Sequence, residues 1–136
     1  MKEYMLDTDI CSYIIKERPQ SVLDHFRKLE MDQLCISVVT YAELIYGVEY
    51  SSSKKINRQI IDDFVHHLNI IDWSKAAAEQ YGKIRTNLKK TGLIIGAMDL
   101  MIAAHAKSRR SILVTNNEKH FERVKGLTIE NWASIG

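Results

Sequence analysis

Asp7, Glu43, Asp99 and Asn117 are acid or amide positions spread along the chain, each at the end of or inside an apolar segment where a polar group needs a reason. Asp99 is the sharpest case, because between Gly92 and Ala106 it is the only formally charged residue, flanked by Met98 and Leu100. A lone ionised carboxylate taken out of water costs several kcal/mol, so it must be neutralised, hydrogen-bonded or set against a cation. Carboxylates gathered within a few ångströms repel one another, and some stay protonated. A divalent ion reverses that preference. Hard cations such as magnesium and manganese take oxygen ligands and leave positions open for water and a phosphate oxygen. One or two such ions can activate water and stabilise the leaving oxygen of a phosphodiester.

Each of these residues also has a plainer reading. Asp7 can simply cap a helix at the end of a strand. Thr40-Tyr-Ala-Glu43 and Thr115-Asn-Asn-Glu118 both spell capping boxes, and Asn117 also suits a turn. Asp99 has the weakest alternative, since no basic residue lies between Lys90 and Lys107 to pair with it locally. The histidines, His25, His66, His67, His105 and His120, read as packing or solvent groups, because none is spaced to chelate a metal. Tyr41, Tyr46 and Tyr50 share the helix of Glu43 and read as core or interface. Cys11 and Cys35 lack zinc-like spacing and read as reduced thiols packed as small hydrophobes.

The elements that must position these side chains follow from hydrophobic periodicity. Strands are expected at Glu3–Leu6, Leu34–Val38, Asn69–Asp72, Ser111–Val114 and Leu127–Ile129, with helical stripes between them. Pro19 opens the second helix, Thr40 the one carrying Glu43, and Gly92 stops the one containing Ala77, Tyr81, Ile84 and Leu88. The helix after Gly96 is apolar on nearly every side and so belongs at the centre. Strands alternating with helices predict an α/β fold with a parallel sheet covered on both faces. In such sheets the carboxyl ends of the strands converge on one crevice, which would gather the four scattered positions.

The chain has 136 residues, with 46% hydrophobic and 26% charged side chains and one proline, and fits a single domain, 1–136. Without an apolar run long enough for a membrane span, a cytoplasmic location is expected. Residues 1 to 74 carry 8 basic and 12 acidic side chains, whereas residues 75 to 136 carry 11 and 5. An acidic cluster beside a basic surface suits an enzyme acting on a polyanion. Lys83, Arg85, Lys89, Lys90, Arg109 and Arg110 are the expected phosphate contacts.

Together, Tyr4-Met-Leu-Asp-Thr-Asp9, Ile36-Ser-Val-Val-Thr-Tyr-Ala-Glu-Leu-Ile-Tyr-Gly47, Ile95-Gly-Ala-Met-Asp-Leu-Met-Ile-Ala-Ala-His105 and Leu113-Val-Thr-Asn-Asn117 resemble, in order, the motifs of a PIN-domain ribonuclease of the VapC toxin type. The resemblance implies a three-layer α/β/α sandwich with a five-stranded, mainly parallel sheet. It also implies Mg2+- or Mn2+-dependent endoribonuclease activity, with Asp7, Glu43 and Asp99 as metal ligands and Asn117 as a further catalytic position. The implied partners are structured RNA, a second copy of the chain, and a cognate VapB-type antitoxin through which operator DNA is bound. Many relatives place an aspartate where this chain has Asn117, which weakens any claim to a second tightly bound ion. Asp9 adds a charge where close relatives more often carry asparagine, and Thr115 belongs to a Thr-Asn-Asn segment resembling that of members that cut initiator tRNA in the anticodon loop. Two alternatives stay open: an aspartate-based phosphatase using Asp7 and Asp9, and a nuclease-inactive binding module.

Overall fold

The computed structural model describes residues 1–134. Its strands are β1 (Tyr4–Leu6), β2 (Leu34–Ser37), β3 (Asn69–Ile71), β4 (Ile112–Val114) and β5 (Ile129–Glu130), and its helices are α1 (Thr8–Ile15), α2 (Gln20–Arg27), α3 (Val38–Tyr50), α4 (Lys54–Val65), α5 (Lys75–Thr91), α6 (Ala97–Arg109) and α7 (Glu118–Phe121). The strands form one five-stranded sheet in the order β3-β2-β1-β4-β5. Every pairing is parallel, with Met5 opposite both Cys35 and Leu113.

Successive strand residues face opposite sides of a pleated sheet, so one short strand feeds two cores. Leu6, Ile36 and Val114 point to the side covered by α1 to α4, where Ile10, Ile14, Leu44, Val48 and Phe64 pack on them. Met5, Cys35 and Leu113 point to the other side, against Ile84 and Leu88 of α5, Leu100 and Ile102 of α6, and Phe121 of α7. Near-continuous burial of β2 and β4 is what a parallel sheet covered on both faces requires. Cys11 and Cys35 are free, buried and on opposite sides of the sheet, as the small-hydrophobe reading requires.

The expected strand bounds hold to within a residue or two. The start of α3 does not. Ser37 caps it, its hydroxyl accepting from the Val39 N–H at 3.1 Å, so the helix begins before Thr40 and the Thr40–Glu43 capping box does not form. The helix α5 ends as expected at Gly92, in the left-handed conformation that glycine tolerates (φ 72°). The helix α6 is central over its second half, but Leu93, Ile94 and Met98 ahead of or in its first turn are exposed. Tyr46 and Tyr50 are 67% and 81% exposed and stacked on each other, not in the core. Among the described residues no helix is long and apolar enough to cross a membrane.

The segment after β5 closes the first core. Trp132 is 1% exposed, stacks on His25 at 5.3 Å and tilts against Tyr4, while its Nε1–H donates to Glu130. Trp132→Ala should therefore cost about 3–5 kcal/mol and lower the melting temperature by roughly 10 °C or more. A thermal melt showing a loss under about 1 kcal/mol would place this segment outside the core.

Candidate functional site

At the carboxyl edge of the sheet, Asp7, Thr8, Asp9, Glu43, Asp99 and Asn117 line one hollow of about 210 Å³. Four residues singled out in the sequence thus meet, as the crossovers of a parallel sheet predict. Asp7 follows β1, the central strand. Its backbone N–H donates to Val114 of β4 at 3.0 Å, and its side chain accepts from the Ile10 N–H at 3.1 Å, capping α1. The capping reading and the site reading are therefore both satisfied by one carboxylate. Glu43 lies mid-helix in α3, where it accepts from the Thr8 hydroxyl at 2.6 Å. Asp99 occupies the first turn of α6, where the helix dipole favours negative charge.

Asp99 is half-buried, not sealed in apolar surroundings, and it has a partner that the sequence did not reveal. His120 Nδ1 lies 3.7 Å from its carboxylate and 2.8 Å from the Asn117 side-chain nitrogen. Nothing in the local pattern of Glu118-Lys-His-Phe121 distinguishes His120, and only the turn after β4 brings it to Asp99. Thr8, too, joins the site only through the fold, by its bond to Glu43. Asn117 lines the hollow, but its side chain does not cap α7, and its N–H donates to the Thr115 hydroxyl at 2.9 Å, so the second capping box is absent too. Thr115 is fully buried just behind Asp7, and its hydroxyl helps hold that carboxylate.

Electrostatics of the hollow are those of like charges short of water. Burial pushes the Asp7 carboxyl up to about 7, against the lowering effect of hydrogen bonds from Thr115 and Ile10, and the charges of Asp9 and Asp99 add to the rise. Burial also raises Asp99, opposed by His120. The hollow offers four carboxylates, the Thr8 hydroxyl and the Asn117 amide. Yet among the described residues no three His, Cys, Asp or Glu side chains are spaced as a ready-made metal cage; Glu43 is bonded to Thr8, and Asp99 lies beside His120. These residues fit an ion of the magnesium type, which takes one or two carboxylates directly and completes its shell with water.

The expected phosphate contacts divide. Arg85 and Lys89 line a groove with Ala97 and Leu100 at the start of α6, the end of that helix that carries Asp99. Lys83 lies further along α5, toward Lys107 and Lys125. Arg109 is at the opposite end of α6, about 15 Å along the helix from Asp99, and is held by both oxygens of Glu3 ahead of β1 at 2.9 and 2.8 Å. Arg109 and Arg110 thus lie at the opposite edge of the sheet from the acidic hollow.

The raised carboxyls have a testable sign. A group whose pKa is higher in the folded state than its unfolded value of 3.8 makes the native protein bind more protons, so stability falls as pH rises from about 4 to about 7. In chelator-treated protein, Asp7→Asn should keep the cap, raise the melting temperature at pH 8 and flatten its decline between pH 5 and 7. An unchanged pH slope would mean that Asp7 is not the strained carboxyl.

Comparison with known proteins agrees with this geometry. Residues 4–127 match the PIN domain model. The chain is 46% identical to the tRNA(fMet)-specific endonuclease VapC of Shigella flexneri over 98% of its own length and 100% of the relative's, and 45% identical to ribonuclease VapC2 of Haemophilus influenzae over 97% and 99%. Its fold superposes on VapBC2 from Rickettsia felis bound to a promoter DNA fragment with a TM-score of 0.90 at 44% identity, covering 95% of this chain and 98% of that one. For DNA-bound VapBC from Salmonella typhimurium the TM-score is 0.91 at 40% identity, with 97% and 99% covered. The chain belongs to the PIN-domain family, among its VapC ribonucleases.

Proposed function

We propose that this chain is a cytoplasmic, metal-dependent endoribonuclease toxin that cuts structured RNA and is neutralised by a VapB-type antitoxin. The observation that carries the reading is the convergence of Asp7, Glu43 and Asp99 on one hollow at the carboxyl edge of the sheet. In this reading those three residues hold a Mg2+ or Mn2+ ion, with Asp9 and Thr115 as additional supports and Asn117 at the rim. When bound, the ion supplies positive charge to the phosphodiester oxygens and lowers the pKa of the attacking water. Asp7 is fixed as cap and strand end, so it holds its oxygens in place without reorganisation. Glu43 and Asp99, held by Thr8 and His120 at the edge of the hollow, would supply the remaining carboxylate oxygens to such an ion. Asn117 contributes an amide but no charge, which favours one tightly held ion over two.

Similarity to a tRNA(fMet)-specific endonuclease supports initiator tRNA as the substrate. Similarity to VapBC complexes on promoter DNA supports an antitoxin partner, operator binding through that partner, and assembly as a homodimer within a hetero-oligomer. A groove of about 460 Å³ between α1, α3 and α4 shares Thr8 and Glu43 with the acidic hollow. It offers an antitoxin segment an apolar track from Ile60 and Leu44 to the carboxylates, where a guanidinium can take the ion's place. Family membership removes the ground for the aspartyl-phosphate alternative.

Asp99→Asn and Glu43→Gln should each reduce RNA cleavage by at least about a hundredfold while the protein stays folded, since each removes a ligand charge and keeps its shape. Excess EDTA should do the same to the wild type. Undiminished cleavage of purified initiator tRNA by either folded variant, or in EDTA, would refute the metal reading. RNA binding should lose part of its salt dependence in Arg85→Ala/Lys89→Ala and keep it in Arg109→Ala/Arg110→Ala, as only the first pair stands at the end of α6 that carries Asp99. The reverse pattern in a filter-binding salt series would move the RNA to the other edge of the sheet.

A further inference from the structure

His105 and Ser37 form a polar pair buried on the α5–α6 side of the sheet. Both are 0% exposed, and His105 Nδ1 lies 2.7 Å from Ser37 Oγ. The Ser37 hydroxyl already accepts from the Val39 N–H, and it has no other acceptor for its own proton among the described residues. Its proton therefore goes to Nδ1, and the ring carries its hydrogen on Nε2. That Nε2 is buried and makes no well-formed hydrogen bond, the backbone of Asp72 being the acceptor it faces.

Buried polar groups that are only partly satisfied cost stability relative to an apolar side chain of similar size. A leucine would suit the apolar core on this side of the sheet better than an imidazole whose second nitrogen lacks a well-formed bond. What the pair does is mechanical. Ser37 begins α3, which carries Glu43 six residues later, and His105 lies on α6 six residues after Asp99. One hydrogen bond therefore ties the two carboxylate-bearing helices together, each about 9 Å along its helix from the acid it carries. Among the described residues no other side-chain hydrogen bond joins α3 or its cap to α6.

Resting on the metal reading above, we propose that His105 is a positioning residue: its bond to Ser37 sets the spacing between Glu43 and Asp99 across which a divalent ion is held. The pair touches neither ion nor substrate. Its effect reaches the site through the rigid bodies of two helices, in the way that partners behind a ligand tune affinity at other metal sites.

The test sets manganese affinity against stability. His105→Leu fills the space without the hydrogen bond, whereas His105→Asn keeps an acceptor at the Nδ1 position but leaves a cavity. Titration calorimetry of the full chain with manganese chloride should show His105→Leu weakened about tenfold or more and His105→Asn within about threefold of wild type, although the melting temperature of the asparagine variant should be the lower of the two. Ser37→Ala should weaken manganese binding as His105→Leu does, so the outcome does not depend on one variant folding. Affinities that follow the melting temperatures, or a leucine variant that binds manganese like wild type, would overturn the proposal. Wild type that binds no manganese and cuts RNA in EDTA would instead overturn the metal reading and this one with it.

Discussion

Like charges crowded where water is scarce set the terms for this protein. Asp7, Asp9, Glu43 and Asp99 face one hollow, and in a medium less polar than water their repulsion is stronger than it would be on an open surface. Asp7 answers by holding its proton to about pH 7. Glu43 and Asp99 answer by turning to Thr8 and His120. Two apolar cores, one on each face of the sheet, supply the stability that allows such a site to persist. A cation is the one ligand that relieves every member of the set at once, so the same repulsion that strains the free protein favours metal binding.

The charge asymmetry of the sequence acquires a direction in the fold. The sheet has an acidic carboxyl edge, and at its amino edge Glu3 and Arg109 close on each other in a two-pronged ion pair with the Ser111 hydroxyl joining them. That pair spans the start of β1 and the end of α6, and it holds the far ends of the same two elements whose near ends present Asp7 and Asp99. Cations near the hollow come instead from α5, where Arg85 and Lys89 stand beside the first turn of α6. A polyanion approaching the carboxylates meets Arg85 and Lys89 from the α5 side and Lys16 from the groove that shares Thr8 and Glu43 with the hollow.

Much of this was legible in the sequence, and the reasons for the exceptions are physical. The strands were visible because each is a short apolar run, and Asp7 and Asp99 because burial makes an isolated acid conspicuous. Glu43 was ambiguous because Thr40 imitates a cap. The ambiguity vanishes once Ser37 is seen to start α3, which leaves Thr40 buried inside the helix and Glu43 free to face outward. His120 and the Thr8–Glu43 bond depend on contacts between distant segments, which no local pattern encodes. Arg109 and Arg110 lie at the far end of α6 from Asp99, which net charge cannot reveal because it counts residues without regard to the edge of the sheet they occupy. His105 looked like a packing residue by type, and it is one, but its nitrogen faces a serine that the sequence places 68 positions away.

The strand order carries a consequence for when the protein becomes dangerous. Tyr4 of β1 pairs with Leu34 of β2, and also with Ile112 of β4, close to the opposite end of the chain. Closing the second loop costs more entropy than the first, and pairings of such long range slow folding. The acidic hollow exists only where Asp7 lies against β4 and the turn that follows it. A chain with β1, β2 and β3 in place but β4 unpaired would have a sheet and half a core, yet no complete site. Toxicity is thus a property of the finished topology, and the least local contact in the sheet acts as its safety catch.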